Sequence, residues 1–132
     1  MNPLGRTDPS AASLIPASET EHEWVAFISS EGMGHGDEEL GAKLMASFLG
    51  TLLEFRGKLS HLLFVNAGAK LVAEGSGVLD QLKSLEEAGV ELLVCGTCLE
   101  HFDLGDRLAV GSVSGMFTIV ETLSRARRII QP

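Results

Sequence analysis

Apolar and polar residues are laid out in blocks along this chain, and the period of the pattern changes from block to block. Trp24-Val25-Ala26-Phe27-Ile28-Ser29-Ser30 is a short, mostly apolar run that ends at Gly32, Gly34 and Gly36, as a buried strand running into a tight loop would. Asp37, Glu38 and Glu39 then open a segment with apolar residues at Leu40, Leu44, Met45, Phe48, Leu49, Leu52 and Leu53. That spacing stacks them on one side of a helix, and the carboxylates suit the positive end of its dipole. His61-Leu62-Leu63-Phe64-Val65 predicts a second strand, closed by Asn66-Ala67-Gly68; Val78, Leu79, Leu82 and Leu85 mark a second helix that Gly89 can cap. Residues 90–94 predict a third strand. After them come a short polar stretch, a strand edge at 108–110, a helix over 115–123 and a closing apolar run at 128–130.

Strands alternating with helices predict an α/β domain: a mostly parallel sheet of about five strands with right-handed crossovers and helices on both faces. The order of the strands is left open. In such a sheet the loops that follow the strands gather at one edge, so 31–36, 66–70, 95–101 and 111–115 should converge there. The folded unit is expected over 22–132. Residues 1–21, rich in Pro, Ser, Ala and Thr without a hydrophobic period, read as a disordered tail.

Composition narrows the function classes. At 132 residues the length fits one domain that folds without staples. The net charge of -8 argues against nucleic acid, whose binding depends on Lys and Arg, and fits a basic protein partner or simply solubility. No stretch approaches the roughly 18 apolar residues of a membrane helix, and the first residues lack a secretory pattern, so a cytoplasmic location is expected.

The chemistry is concentrated in Cys95-Gly96-Thr97-Cys98, which holds the only two cysteines and directly follows the third apolar strand. So short a loop makes a poor structural crosslink, and in a reducing compartment such a pair points to reactivity or metal binding. Backbone N–H groups at a strand-end turn lower a thiol's pKa, and Gly96 leaves them uncovered, so Cys95 is expected to be activated as a thiolate with Cys98 as its resolving partner. Asn66 and Lys70, on the neighbouring loop, offer an amide and an ammonium to orient a thiolate or persulfide. His101 is a candidate proton donor, and Thr97 belongs to the same turn. Zinc held by Cys95, Cys98, His101 and His35 lacks a second paired motif, so neither a metal nor a cofactor is expected. The glycines at 32, 34 and 36 match neither a dinucleotide fingerprint nor a phosphate loop and are read as a turn. Arg125, Arg127 and Arg128 are assigned to the end of the last helix or to acidic residues of a neighbouring subunit.

Five segments together resemble a known family: Met33-Gly34-His35-Gly36-Asp37-Glu38-Glu39-Leu40-Gly41, Val65-Asn66-Ala67-Gly68-Ala69-Lys70-Leu71, Glu74-Gly75-Ser76, Cys95-Gly96-Thr97-Cys98-Leu99 and Val110-Gly111. They look like the DsrE-like domain of the YedF-type, sulfurtransferase-like selenium metabolism proteins, over about 23–132. The resemblance implies a three-layer α/β/α DsrE-like fold, homo-oligomers (dimer or trimer), and a sulfur or selenium carrier that exchanges with donor and acceptor proteins. It assigns the sulfur-carrying cysteine to Cys95, as a persulfide, and if the protein is an enzyme it is sulfurtransferase-like. The chain departs from the family at His35, where Arg or a small residue is expected, and at Gly115, where Asn is. Two other functions fit the residues: an oligomeric ligand- or protein-binding module with structural cysteines, and a Cys-x-x-Cys thiol–disulfide exchange protein.

Overall fold

A computed structural model describes residues 22–132; the expected tail lies outside the described residues. The elements are β1 (His22–Ile28), α1 (Glu38–Thr51), a 3-10 turn (Leu52–Phe55), β2 (Leu59–Phe64), a 3-10 segment (Asn66–Val72), α2 (Leu79–Glu87), β3 (Glu91–Cys95), α3 (Gly96–His101), β4 (Ser112–Ser114), α4 (Met116–Ser124) and β5 (Ala126–Ile130). All four strand pairings are parallel, in the order β4-β3-β2-β1-β5.

The order explains which face each helix covers. From β1 through β4 the chain steps in one direction across the sheet, and right-handed crossovers then hold the intervening helices to one face. The step from β4 to β5 reverses across the whole sheet, and the same handedness sends α4 to the other face. Alternation along the central strands follows suit. Ala26, Ile28, Leu62, Phe64, Leu92 and Val94 point into the larger core with Met45, Leu49, Leu82, Leu85 and Leu99. Val25, Leu63, Leu93 and Cys95 point the other way, onto Ile119 of α4. The result is a three-layer α/β/α domain with one crowded helical layer and one sparse one.

Local chemistry sets the helix starts. Asp37 caps α1, its carboxylate accepting from the N–H of Glu39 at 2.9 Å and of Leu40 at 3.5 Å. The buried face of α1 runs through Gly41, Met45 and Leu49, whereas Leu40 and Leu44, expected inside, are exposed. The β1–α1 loop folds back onto this face: Met33 N–H donates to the Gly41 carbonyl at 3.0 Å, and a Cβ on Gly32 would sit 3.2 Å from the Gly41 backbone.

Two expectations near the end of the chain are corrected. Residues 108–110 are not a strand: Leu108 makes one isolated antiparallel bridge with Ala73, and Ala109 N–H donates to the Val72 carbonyl. The strand of this region is β4, whose polar residues Ser112 and Ser114 give it no apolar signature. The stretch after β3 is not a plain turn either, because Gly96 starts the short helix α3.

Candidate functional site

Cys95 is the last residue of β3 and the N-cap of α3, with extended backbone angles of −64° and 120°. Its side chain is only 4% exposed and belongs to the sparse core with Leu63, Leu93 and Ile119. Cys98 lies three residues on, in the first turn of α3, where i,i+3 spacing brings it onto the same side; it is half-buried. Both thiols are free. Gly96, between them, packs tightly on β4: a Cβ there would come within 3.0 Å of the Val113 side chain. Thr97 is exposed.

The loop after β2 completes the site. Asn66 is exposed and adopts the left-handed backbone, φ 50°, a conformation that asparagine tolerates better than most residues. In this conformation its backbone N–H donates to the Cys98 sulfur at 3.1 Å. The contact from this loop is therefore made by the main chain rather than by the side-chain amide that the sequence brings to mind. Lys70, four residues on, turns to other partners: its ammonium lies 3.7 Å from a Glu31 carboxylate oxygen and 4.6 Å from the ring centroid of Phe102. His101 ends α3, exposed, with its ring edge-on to Phe102 at 5.1 Å and 84°. The loops after β1, β2 and β3 are thus tied together by Glu31–Lys70, Lys70–Phe102 and Asn66–Cys98, and Gly96 touches β4.

Electrostatics at Cys98 disfavour its thiolate. The Cys98 thiol is pushed above its usual value, first by burial, then by its hydrogen bond with Cys95; the Asn66 N–H opposes both, and the charge of Cys95 adds a smaller push upward. One backbone donor does not outweigh desolvation and a neighbouring thiol.

The β1–α1 loop borders a cavity of about 470 Å³ lined by Ser30, Glu31, His35, Asp37, Glu38 and Ala67. Three carboxylates on its rim repel a phosphate, in keeping with the turn reading of its glycines. Among the described residues no group of three or more His, Cys, Asp and Glu side chains is gathered to hold a metal ion. Nor is any described helix long and apolar enough to cross a membrane. Arg125 pairs with Glu121 one turn back, at 3.3 Å.

Sequence reasoning missed Glu31 and Phe102, which carry no motif and gain meaning only from Lys70 between them. It also missed a polar cluster toward the amino ends of the strands, away from the cysteines. There His61 Nε2 meets Glu91 at 3.2 Å, Nδ1 meets Ser60 Oγ at 2.9 Å, and the ring packs on His22 at 4.4 Å. The only signal for this cluster is strand register, which places His61 beside Glu91.

Comparison with known proteins gives a consistent family and fold. The sequence profile of the DsrE/DsrF-like family matches residues 24–132. The ychN protein from E. coli, known from a crystal structure, superimposes with a TM-score of 0.62 at 15% identity, covering 84% of this chain and 99% of that one. A protein of unknown function from Methanobacterium thermoautotrophicum, MTH1491, gives 0.60 at 22% identity, covering 85% of this chain and 100% of the other. A search of curated proteins returned no match.

Proposed function

The chain belongs to the DsrE/DsrF-like family, and on that premise we propose that it relays sulfane sulfur, or selenium, between a donor and an acceptor protein as a persulfide on the Cys95–Cys98 dithiol. The observation that carries this reading is the pair of free thiols at the carboxyl edge of the sheet, one of them held by the Asn66 N–H. A persulfide needs a nucleophilic sulfur that a partner can reach and a donor that steadies its charge, and this edge offers both. The function suits a reducing, cytoplasmic setting, where the two thiols stay reduced. Net charge of -8 and the carboxylates Glu31, Asp37 and Glu38 around the β1–α1 loop favour partners with a basic docking face.

Homo-oligomerisation, as a dimer or trimer, is part of the same proposal. Helix α4 leaves Met116, Val120 and the 80%-exposed Phe117 in solvent, an apolar surface on the sparse side of the sheet.

The test is to load the reduced protein with a sulfane-sulfur donor, measure added sulfur by intact mass, and then follow its passage to an acceptor thiol. The wild type should gain and pass on sulfur, and the Cys95→Ser/Cys98→Ser double variant should do neither. Reduction of insulin disulfides without sulfur loading would instead establish dithiol exchange. A folded wild type that does neither would favour the binding module with structural cysteines.

A further inference from the structure

We propose that sulfane sulfur is received at Cys98, on a sulfur positioned by the backbone N–H of Asn66, and that the buried Cys95 acts second, as the resolving thiol. This rests on the sulfur-relay reading and reverses the order that the family resemblance implies. Two observations carry it.

The first is access. A donor persulfide must bring its outer sulfur in line with the attacking sulfur at roughly 3–3.5 Å. Cys95 is 4% exposed, enclosed by Val25, Leu63, Leu93 and Ile119, so a protein-bound persulfide cannot approach it without opening that core. Cys98 is half-buried, at the edge where the loops after β2 and β3 meet.

The second is the donor. Two nearby N–H groups of the loop are committed to the main chain: Val65 N–H to the Ile28 carbonyl at 3.0 Å, and Gly68 N–H to the Val65 carbonyl at 2.9 Å. That of Asn66, where the backbone turns left-handed, donates instead to the Cys98 sulfur at 3.1 Å. Such a donor stabilises a thiolate, and then the persulfide anion that replaces it. It offsets part of the burial that holds the Cys98 proton on.

The chemistry balances without an added oxidant. The Cys98 thiolate attacks the outer sulfur of a donor R–S–SH; the donor S–S bond breaks, a new one forms at Cys98, and R–S⁻ leaves. An acceptor thiolate repeats the step and regenerates Cys98. Without an acceptor, the Cys95 thiolate attacks the inner sulfur of the Cys98 persulfide, and sulfide leaves as the Cys95–Cys98 disulfide forms. The sulfane sulfur is then reduced, the two cysteines are oxidised, and an external dithiol resets the pair.

Glutathione persulfide, added to the reduced full chain, is the probe, with fragment-ion mass spectrometry assigning the first added sulfur. In the wild type it should appear on Cys98. Cys98→Ser should load at least tenfold more slowly, and Cys95→Ser should accumulate the Cys98 persulfide because its resolving step is gone. For Asn66, the readout is the pH profile of Cys98 alkylation. Asn66→Val, which resists a positive φ, should move the profile to higher pH and slow loading about tenfold, the equivalent of one hydrogen bond; the conservative Asn66→Gly should restore both. First sulfur on Cys95, or unimpaired loading of Cys98→Ser, overturns the proposed order while leaving the relay intact. An unmoved pH profile in folded Asn66→Val overturns the positioning role. Absence of sulfur from both thiols of the folded wild type removes the relay reading itself. Assignment of the first sulfur in the wild type stands whether or not any variant folds.

Discussion

Gly68 lies so close to Ile28 that a Cβ on it would run into the Ile28 carbonyl oxygen, an atom already engaged by the Val65 N–H at 3.0 Å. The contact pins the loop after β2 onto the end of β1, and that loop presents Asn66 to Cys98. The obstructing atoms are the carbonyl group of Ile28, backbone that cannot rotate aside as a side chain would. Gly68→Ala should therefore force the loop outward and destabilise the fold by about 1–3 kcal/mol, the usual range for overpacking. Urea denaturation reads the loss. Cys98 alkylation in the still-folded protein should change with it, because the Asn66 N–H moves with the loop, and an unchanged midpoint would mean that the close approach is relieved at no cost.

The sparse layer sets a second expectation. Val25, Leu63, Leu93 and Cys95 are covered on their face by α4, through Ile119, which is fully buried. Ile119→Ala should leave a cavity that no neighbouring helix can fill and cost about 2–5 kcal/mol. The urea midpoint measures this, and faster alkylation of Cys95 should accompany it as the core over that thiol loosens. A loss well below 1 kcal/mol would show that α4 contributes little to holding the sheet.

Outward from Ile119, the same helix exposes Met116, Phe117 and Val120. If copies of the chain meet there, Phe117→Asp places a charge in a desolvated contact and should shift the assembly toward monomer. Sedimentation velocity over a concentration series distinguishes the species. An assembly unaffected by the substitution would put the interface elsewhere.

How far the sequence could be read follows from what each element owes to its neighbours. Leu62-Leu63-Phe64 and Leu92-Leu93-Val94 are legible because a parallel sheet covered on both faces turns its central strands into continuous apolar runs. β4 has three residues, two of them serines, and is a strand only because it pairs with β3; Leu108-Ala109-Val110 carries the stronger local signal and packs against Val72 and Ala73 instead. The place of β5 beside β1 is likewise a tertiary fact. At the site, the two cysteines announce themselves by spacing, whereas the Asn66 contact depends on a backbone angle that no residue pattern spells out. That α1 exposes Leu40 and Leu44 and turns Gly41 to the folded-back loop is a tertiary outcome that periodicity alone does not record.

At the amino side of the sheet, His61 predicts a pH dependence of stability. The ring is buried beside His22, and its pKa is lowered, first by desolvation and then by His22, against a smaller opposing pull from Glu91 at 3.2 Å. An unfolded histidine titrates near about 6.5, so below that pH the unfolded chain takes up a proton that folded His61 refuses. Between the unfolded and the lower folded pKa the unfolded state binds more protons, and stability rises with pH there. The contribution is complete above the unfolded value and is lost as pH falls toward the folded one. Urea midpoints measured from about pH 7.5 down to about pH 5 should fall for the wild type. His61→Phe keeps a ring in the site without the proton and should flatten that part of the curve. Glu91→Gln removes the one group favouring the charged ring, lowers the folded pKa further and should steepen it. Parallel curves for the wild type and His61→Phe would assign the acid sensitivity to carboxylates rather than to this histidine.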